Sequence, residues 1–101
     1  MRREALEKLW DAWERLKTLG PGSDKKEQIS ELPAATAGSS SPLFGEALDR
    51  EAKELTSIGD NLQIRHWEKD KEKVAYGEHV DYLFRRLFSF IQLILRMNTG
   101  L

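Results

Sequence analysis

The sequence predicts an all-α chain: isolated amphipathic helices joined by disordered linkers, largely intrinsically disordered when free and folding on binding. Three observations predict it. Apolar residues recur at helical spacing in three separate stretches. A Gly/Pro/Ser-rich segment and a charge run divide those stretches. The 101 residues are 33% charged and 40% hydrophobic, more charged and less apolar than a typical globular domain, so at most one small domain fits.

The first helix is expected over residues 3–19. Leu6, Leu9, Trp10, Trp13 and Leu16 follow i, i+3, i+4, i+7, i+10 spacing. Glu4, Glu7, Lys8, Asp11, Glu14, Arg15 and Lys17 fill the opposite side, several at pair spacing. Gly20-Pro21-Gly22 ends it. The two tryptophans need cover, from another helix of the chain, a docking partner or a membrane surface.

Residues 20–42, GPGSDKKEQISELPAATAGSSSP, read as a disordered linker in which Ile29 and Leu32 alone offer apolar anchorage. Such a segment buries too little apolar area to offset its ordering entropy. A long helix is then expected over 43–73, starting from Ser41 as N-cap with Pro42 at the first helical position. Leu55, Ile58 and Leu62 share one face at ~100° per residue, and Phe44, Leu48 and His66 extend it. Gly59 borders that face and Asp60 lies beside it. A glycine inside a helix costs roughly 1 kcal/mol relative to alanine, a sensible cost where something approaches the backbone closely. Residues 68–73, EKDKEK, are a solvated charge run, and Gly77 breaks or kinks the helix.

The last helix is expected over 79–98. Asp81, Arg85, Ser89, Gln92 and Arg96 form one narrow polar stripe, and nearly everything else is aromatic or large aliphatic. So wide an apolar arc suits a helix lying in a membrane surface, with Leu83, Phe84, Leu87, Phe88, Ile91, Ile94 and Leu95 facing lipid. The alternative is the central helix of a three-helix bundle, covered by the N-terminal helix and the stripe of residues 44–66.

The chemistry of catalysis is missing. There is no Cys, which removes disulfides and thiolate sites. His66 and His79 have no ligand-like neighbours, and no metal, phosphate-loop or nucleophile-elbow spacing occurs. The expectation is no enzyme, no cofactor and no metal. A net charge of −1 favours no nucleic-acid partner. The first ten residues hold no uninterrupted apolar run, and no stretch of 18 apolar residues occurs, so neither a secretory signal nor a standard transmembrane helix is expected.

The stretch 52–67, AKELTSIGDNLQIRHW, carries a resemblance. Its L55-T-S-I58-G59-D60-N-L62 resembles the Bcl-2-homology-three motif of the pro-apoptotic homology-three-only proteins, the Bim/Puma/Bmf group. Counted with the extension of its face back to Phe44, the resemblance covers about a quarter of the chain. It implies a helix that enters the hydrophobic groove of pro-survival Bcl-2 proteins, with Leu55, Ile58 and Leu62 as groove anchors. Gly59 would be the small residue packed on a groove helix, and Asp60 the partner of a groove arginine. Two positions depart from the pattern. The first anchor falls on Glu51, beside Ala52 and Leu48 as substitutes, and Gln63 stands where the family often has Asn.

The family's members also carry an apolar, arginine-punctuated segment behind the motif that targets the mitochondrial outer membrane, similar to residues 79–98. The resemblance thus implies neutralisation of pro-survival proteins, contact with pro-apoptotic effectors of the same family, and residence in cytoplasm and at the mitochondrial outer membrane. The alternative expectation is a self-contained helical bundle acting as a scaffold or adaptor. A third is a membrane-surface peptide whose central motif is coincidental.

Overall fold

The computed structural model describes residues 2–18, 25–64 and 69–98. They form four helices and one small parallel ladder: α1 Arg2–Leu16, α2 Lys25–Ala37, α3 Pro42–Asn61, β1 Leu62–Gln63, β2 Glu72–Lys73 and α4 Gly77–Met97. The chain is therefore all-α in class. α1 packs along α4, α2 packs along α3, and α2 also reaches α4. The Cα radius of gyration is 14.0 Å, close to the ~13 Å of a folded chain this long.

The core follows from the periodicities. α1 contributes Leu6, Trp10, Trp13 and Leu16, α3 Leu48, Ala52 and Leu55, and α4 Val80, Leu83, Leu87, Phe90, Ile91 and Ile94. Trp13 meets Phe90 edge to face with centroids 5.3 Å apart, a favoured aromatic geometry. Leu32, Ile64 and Val74 belong to the same cluster.

Several boundaries differ from the expectations for physical reasons. α2 lies inside the segment 20–42, expected to be a linker. It has almost no amphipathic pattern and contains Pro33, but Leu32 is buried and the Thr36 hydroxyl donates to the Leu32 carbonyl (2.8 Å). The Asn98 side chain donates to Thr36 Oγ1 (2.8 Å), tying α2 to the end of α4. Tertiary contact, not local propensity, sustains this helix. Gly38 at φ +88° follows it, the left-handed conformation common just past a helix end.

α3 starts where expected, with Pro42 at its first position, but stops at Asn61 instead of continuing to 73. Asn61 turns its amide back onto the Ser57 carbonyl (2.8 Å) and hydroxyl (3.1 Å), and Lys71 Nζ donates to the Gly59 carbonyl (3.2 Å). The Lys71 contact satisfies a carbonyl that a continuing helix would bond itself. Leu62 and Gln63 run extended and pair with Glu72 and Lys73. His66, expected on the α3 stripe, lies outside the described residues. α4 begins at Gly77, directly after extended Tyr76, two residues before the expected start.

Candidate functional site

The candidate site is the stripe of α3 and what lies on it. Leu55 is fully buried, Leu48 and Ala52 are buried, and Ile58 and Leu62 are partly buried against the same cluster. Asp60 is exposed. Phe44, an extension of the stripe in the sequence, is half exposed, so the covered part of the face runs from Leu48 to Leu62.

α2 packs along α3, and α1 crosses the C-terminal part of the motif antiparallel to it. The Arg3 guanidinium donates to the carbonyls of Gln63 (3.3 Å) and Val74. Trp10 sits on Gly59: a Cβ there would overlap Trp10 Nε1 and stand 3.1 Å from Cε2. At the other end Lys17 Nζ donates to Thr56 Oγ1 (3.3 Å), pairs with Glu14 (2.7 Å) and lies 5.4 Å from the Trp13 ring centre. From Arg3 in α1 to Lys17 just past its end, the contacts step back from Gln63 to Thr56. The close approach that Gly59 demands is thus made by a tryptophan of the same chain.

Glu51, the departure from the motif's pattern, also has an internal partner. Arg86 of α4 donates to it through Nε (3.0 Å) and Nη2 (2.6 Å), a two-pronged charged contact between partly buried side chains. This hydrogen bond raises the Arg86 pKa above the ordinary arginine value, with burial opposing it. Where the groove motif has an apolar anchor, this chain has an ion-pair latch between α3 and α4.

The residues expected to face lipid divide. Leu83, Leu87, Ile91 and Ile94 are buried in the bundle, while Phe88 and Leu95 are about half exposed. Phe84 is partly buried and stacks on Phe88, centroids 5.8 Å apart. Tyr82 and Met97 are exposed on the opposite flank. No described helix is long and apolar enough to cross a membrane.

Sequence reasoning reached the stripe, Gly59 and the two tryptophans separately. It missed that they meet, and it missed the Glu51–Arg86 pair. The available signals were Gly59 and Glu51, a glycine and an acid at positions of an amphipathic helix that would ordinarily carry neither. An open groove of about 530 Å³ between α2 and α3, lined by Ala34, Gly38, Ser41, Pro42, Gly45 and Asp49 among others, involves none of the stripe residues. No family model, curated protein or solved structure matches the chain.

Proposed function

We propose that the chain is a pro-apoptotic ligand whose α3 helix enters the hydrophobic groove of pro-survival Bcl-2 proteins and neutralises them. The single observation that carries this reading is the arrangement on α3: Leu55 and Ile58 on one face, Gly59 at its border and Asp60 exposed beside it, with Leu62 following in sequence. Three apolar anchors gain about 1.5–3 kcal/mol each on full burial, and a carboxylate at the rim fixes register on an arginine. In this reading the free chain exchanges between the closed bundle and isolated helices on disordered linkers. Groove binding draws on that second population, whose ordering entropy the anchors offset. α4 adds an apolar, arginine-bearing surface for the mitochondrial outer membrane, and effectors of the same family are further partners.

A fluorescent peptide of residues 42–68 titrated with a pro-survival Bcl-2 protein tests the reading. Submicromolar binding is expected, weakened about thirtyfold by Leu55→Ala, the effect of losing one buried anchor worth ~2 kcal/mol. Asp60→Ala should weaken it as well. Absence of binding at concentrations of tens of micromolar would sink the proposal.

A second reading is favoured by a specific observation: Glu51 and Gly59 both have partners inside the chain. In this reading the chain is a self-contained helical bundle, a small scaffold or adaptor, and the stripe is core only. A cooperative melt together with a peptide that binds no groove would establish it.

A further inference from the structure

We infer that the folded chain is self-inhibited, α1 and Arg86 forming a two-point clasp that withholds α3 from an outside groove. The inference rests on the groove-ligand reading and adds its regulation. Three observations carry it. First, α1 lies across Thr56 to Gln63, the C-terminal half of the span that would enter a groove, and Trp10 fills the space over Gly59 that a groove helix would need. Two helices cannot occupy that side of Gly59 at once, so α1 and a groove exclude each other. Second, the Glu51–Arg86 contact holds the other end of the motif to α4.

Third, the clasp is not optimally satisfied. The indole N–H groups of Trp10 and Trp13 are buried without an acceptor among the described residues. Buried donors left unpaired disfavour the closed form and regain water on opening. α3 also ends at Asn61 in the closed form, with Leu62 extended, so release leaves it free to lengthen through its last anchor. A closed form held by bulky apolar contact and one latch, yet bearing unpaired donors, is suited to reversible opening. The apparent affinity of such a ligand is its intrinsic affinity scaled by the open fraction.

The test uses full-length chains and a pro-survival Bcl-2 protein, with affinity and association rate measured for wild type, Arg86→Glu, Glu51→Arg, the double exchange and Trp10→Ala. The expected result is that Arg86→Glu and Trp10→Ala each bind about tenfold tighter or more, by raising the open fraction. The double exchange restores the ion pair and should return affinity toward wild type, whereas a direct effect of residue 51 on the groove would be additive with residue 86. The wild-type association rate should level off with rising partner concentration, because opening limits it. Wild type binding as tightly as both opened variants, at a rate proportional to partner concentration, would overturn the clasp while leaving the groove reading intact. Absence of binding by every chain would overturn the reading itself, and the clasp with it.

Discussion

Helices α3 and α4 are both amphipathic, yet the fold uses them differently. α3 has a narrow stripe, and the bundle covers Leu48, Ala52 and Leu55. α4 has an apolar arc wider than its neighbours can cover. Six of its residues enter the core, while Tyr82, Phe88, Leu95 and Met97 stay outside. The width of an apolar arc sets how much surface remains after folding: a stripe near 100° is consumed by one packing face, and a wider arc leaves a remainder. The α3 stripe is therefore hidden in the bundle, and part of the α4 arc stays exposed.

The largest effects should come from residues that the two helices bury completely. Leu55→Ala on α3 and Leu87→Ala on α4 each leave a cavity in a well-packed cluster and should cost about 2–5 kcal/mol. In thermal unfolding that is a drop of roughly 10 °C or more for a chain of this size. Equal losses at the two sites would show one cooperative core. A large loss at Leu87 with none at Leu55 would show that α3 is not packed in solution, and would break the comparison at its base.

The two glycines of α3 sharpen it further, because their substitutions should have opposite signs. At Gly59 alanine gains helix propensity but collides with the indole of Trp10, and overpacking costs about 1–3 kcal/mol. At Gly45 a new Cβ meets only ordinary contacts, 3.5 Å from the Ala37 Cβ. Gly45→Ala should therefore stabilise by about 0.5–1 kcal/mol, and Gly59→Ala should be net destabilising. Chemical denaturation midpoints would read both, and a stabilising Gly59→Ala would remove Trp10 from its assigned place.

The latch between α3 and α4 predicts a smaller effect with a distinctive dependence. Arg86→Ala should cost about 1 kcal/mol, the worth of a partly solvated two-pronged pair. Arg86 has a raised pKa in the folded state, so its contribution is complete below the ordinary arginine value and is lost only in strong alkali. The wild-type minus Arg86→Ala difference should thus not change across the neutral range on account of Arg86. It should shrink at ~1 M salt, where the screening length falls to about 3 Å. A difference unmoved by salt would mean the pair contributes through packing of the arginine stem instead.

Much of this was legible from spacing alone, and the remainder has identifiable causes. α1, the start of α3 and the extent of α4 followed from periodicity and from Ser41-Pro42. α2 did not, because its apolar spacing is irregular; contacts as remote in sequence as Asn98 to Thr36 help hold it. At the early stop of α3, Lys71 arrives from beyond the next strand to take up the Gly59 carbonyl. In the candidate site, Gly59 announced a close approach, but local spacing carries no information on which residue makes it. Trp10 and Arg86 stand far from their partners along the chain, and such pairs become visible only when the helices are placed.

The smallest expected change in stability tests the exposed remainder of α4. Phe88 is 45% and Leu95 51% exposed, so Phe88→Ser and Leu95→Ser should each destabilise by less than about 1 kcal/mol. Their effect on membrane association should be far larger. An interfacial helix gains from every apolar group inserted at the headgroup boundary, and Arg85 and Arg96 on the polar side of α4 would meet anionic lipid. Co-sedimentation with vesicles containing anionic lipid should fall severalfold for the paired substitution while the melting curve scarcely moves. Leu87→Ala supplies the converse, a large change in melting from a side chain that lipid cannot reach in the closed form. If Leu87→Ala instead abolished vesicle association and Phe88→Ser/Leu95→Ser did not, lipid would be met by an opened α4, and the apolar arc would serve core and membrane in turn.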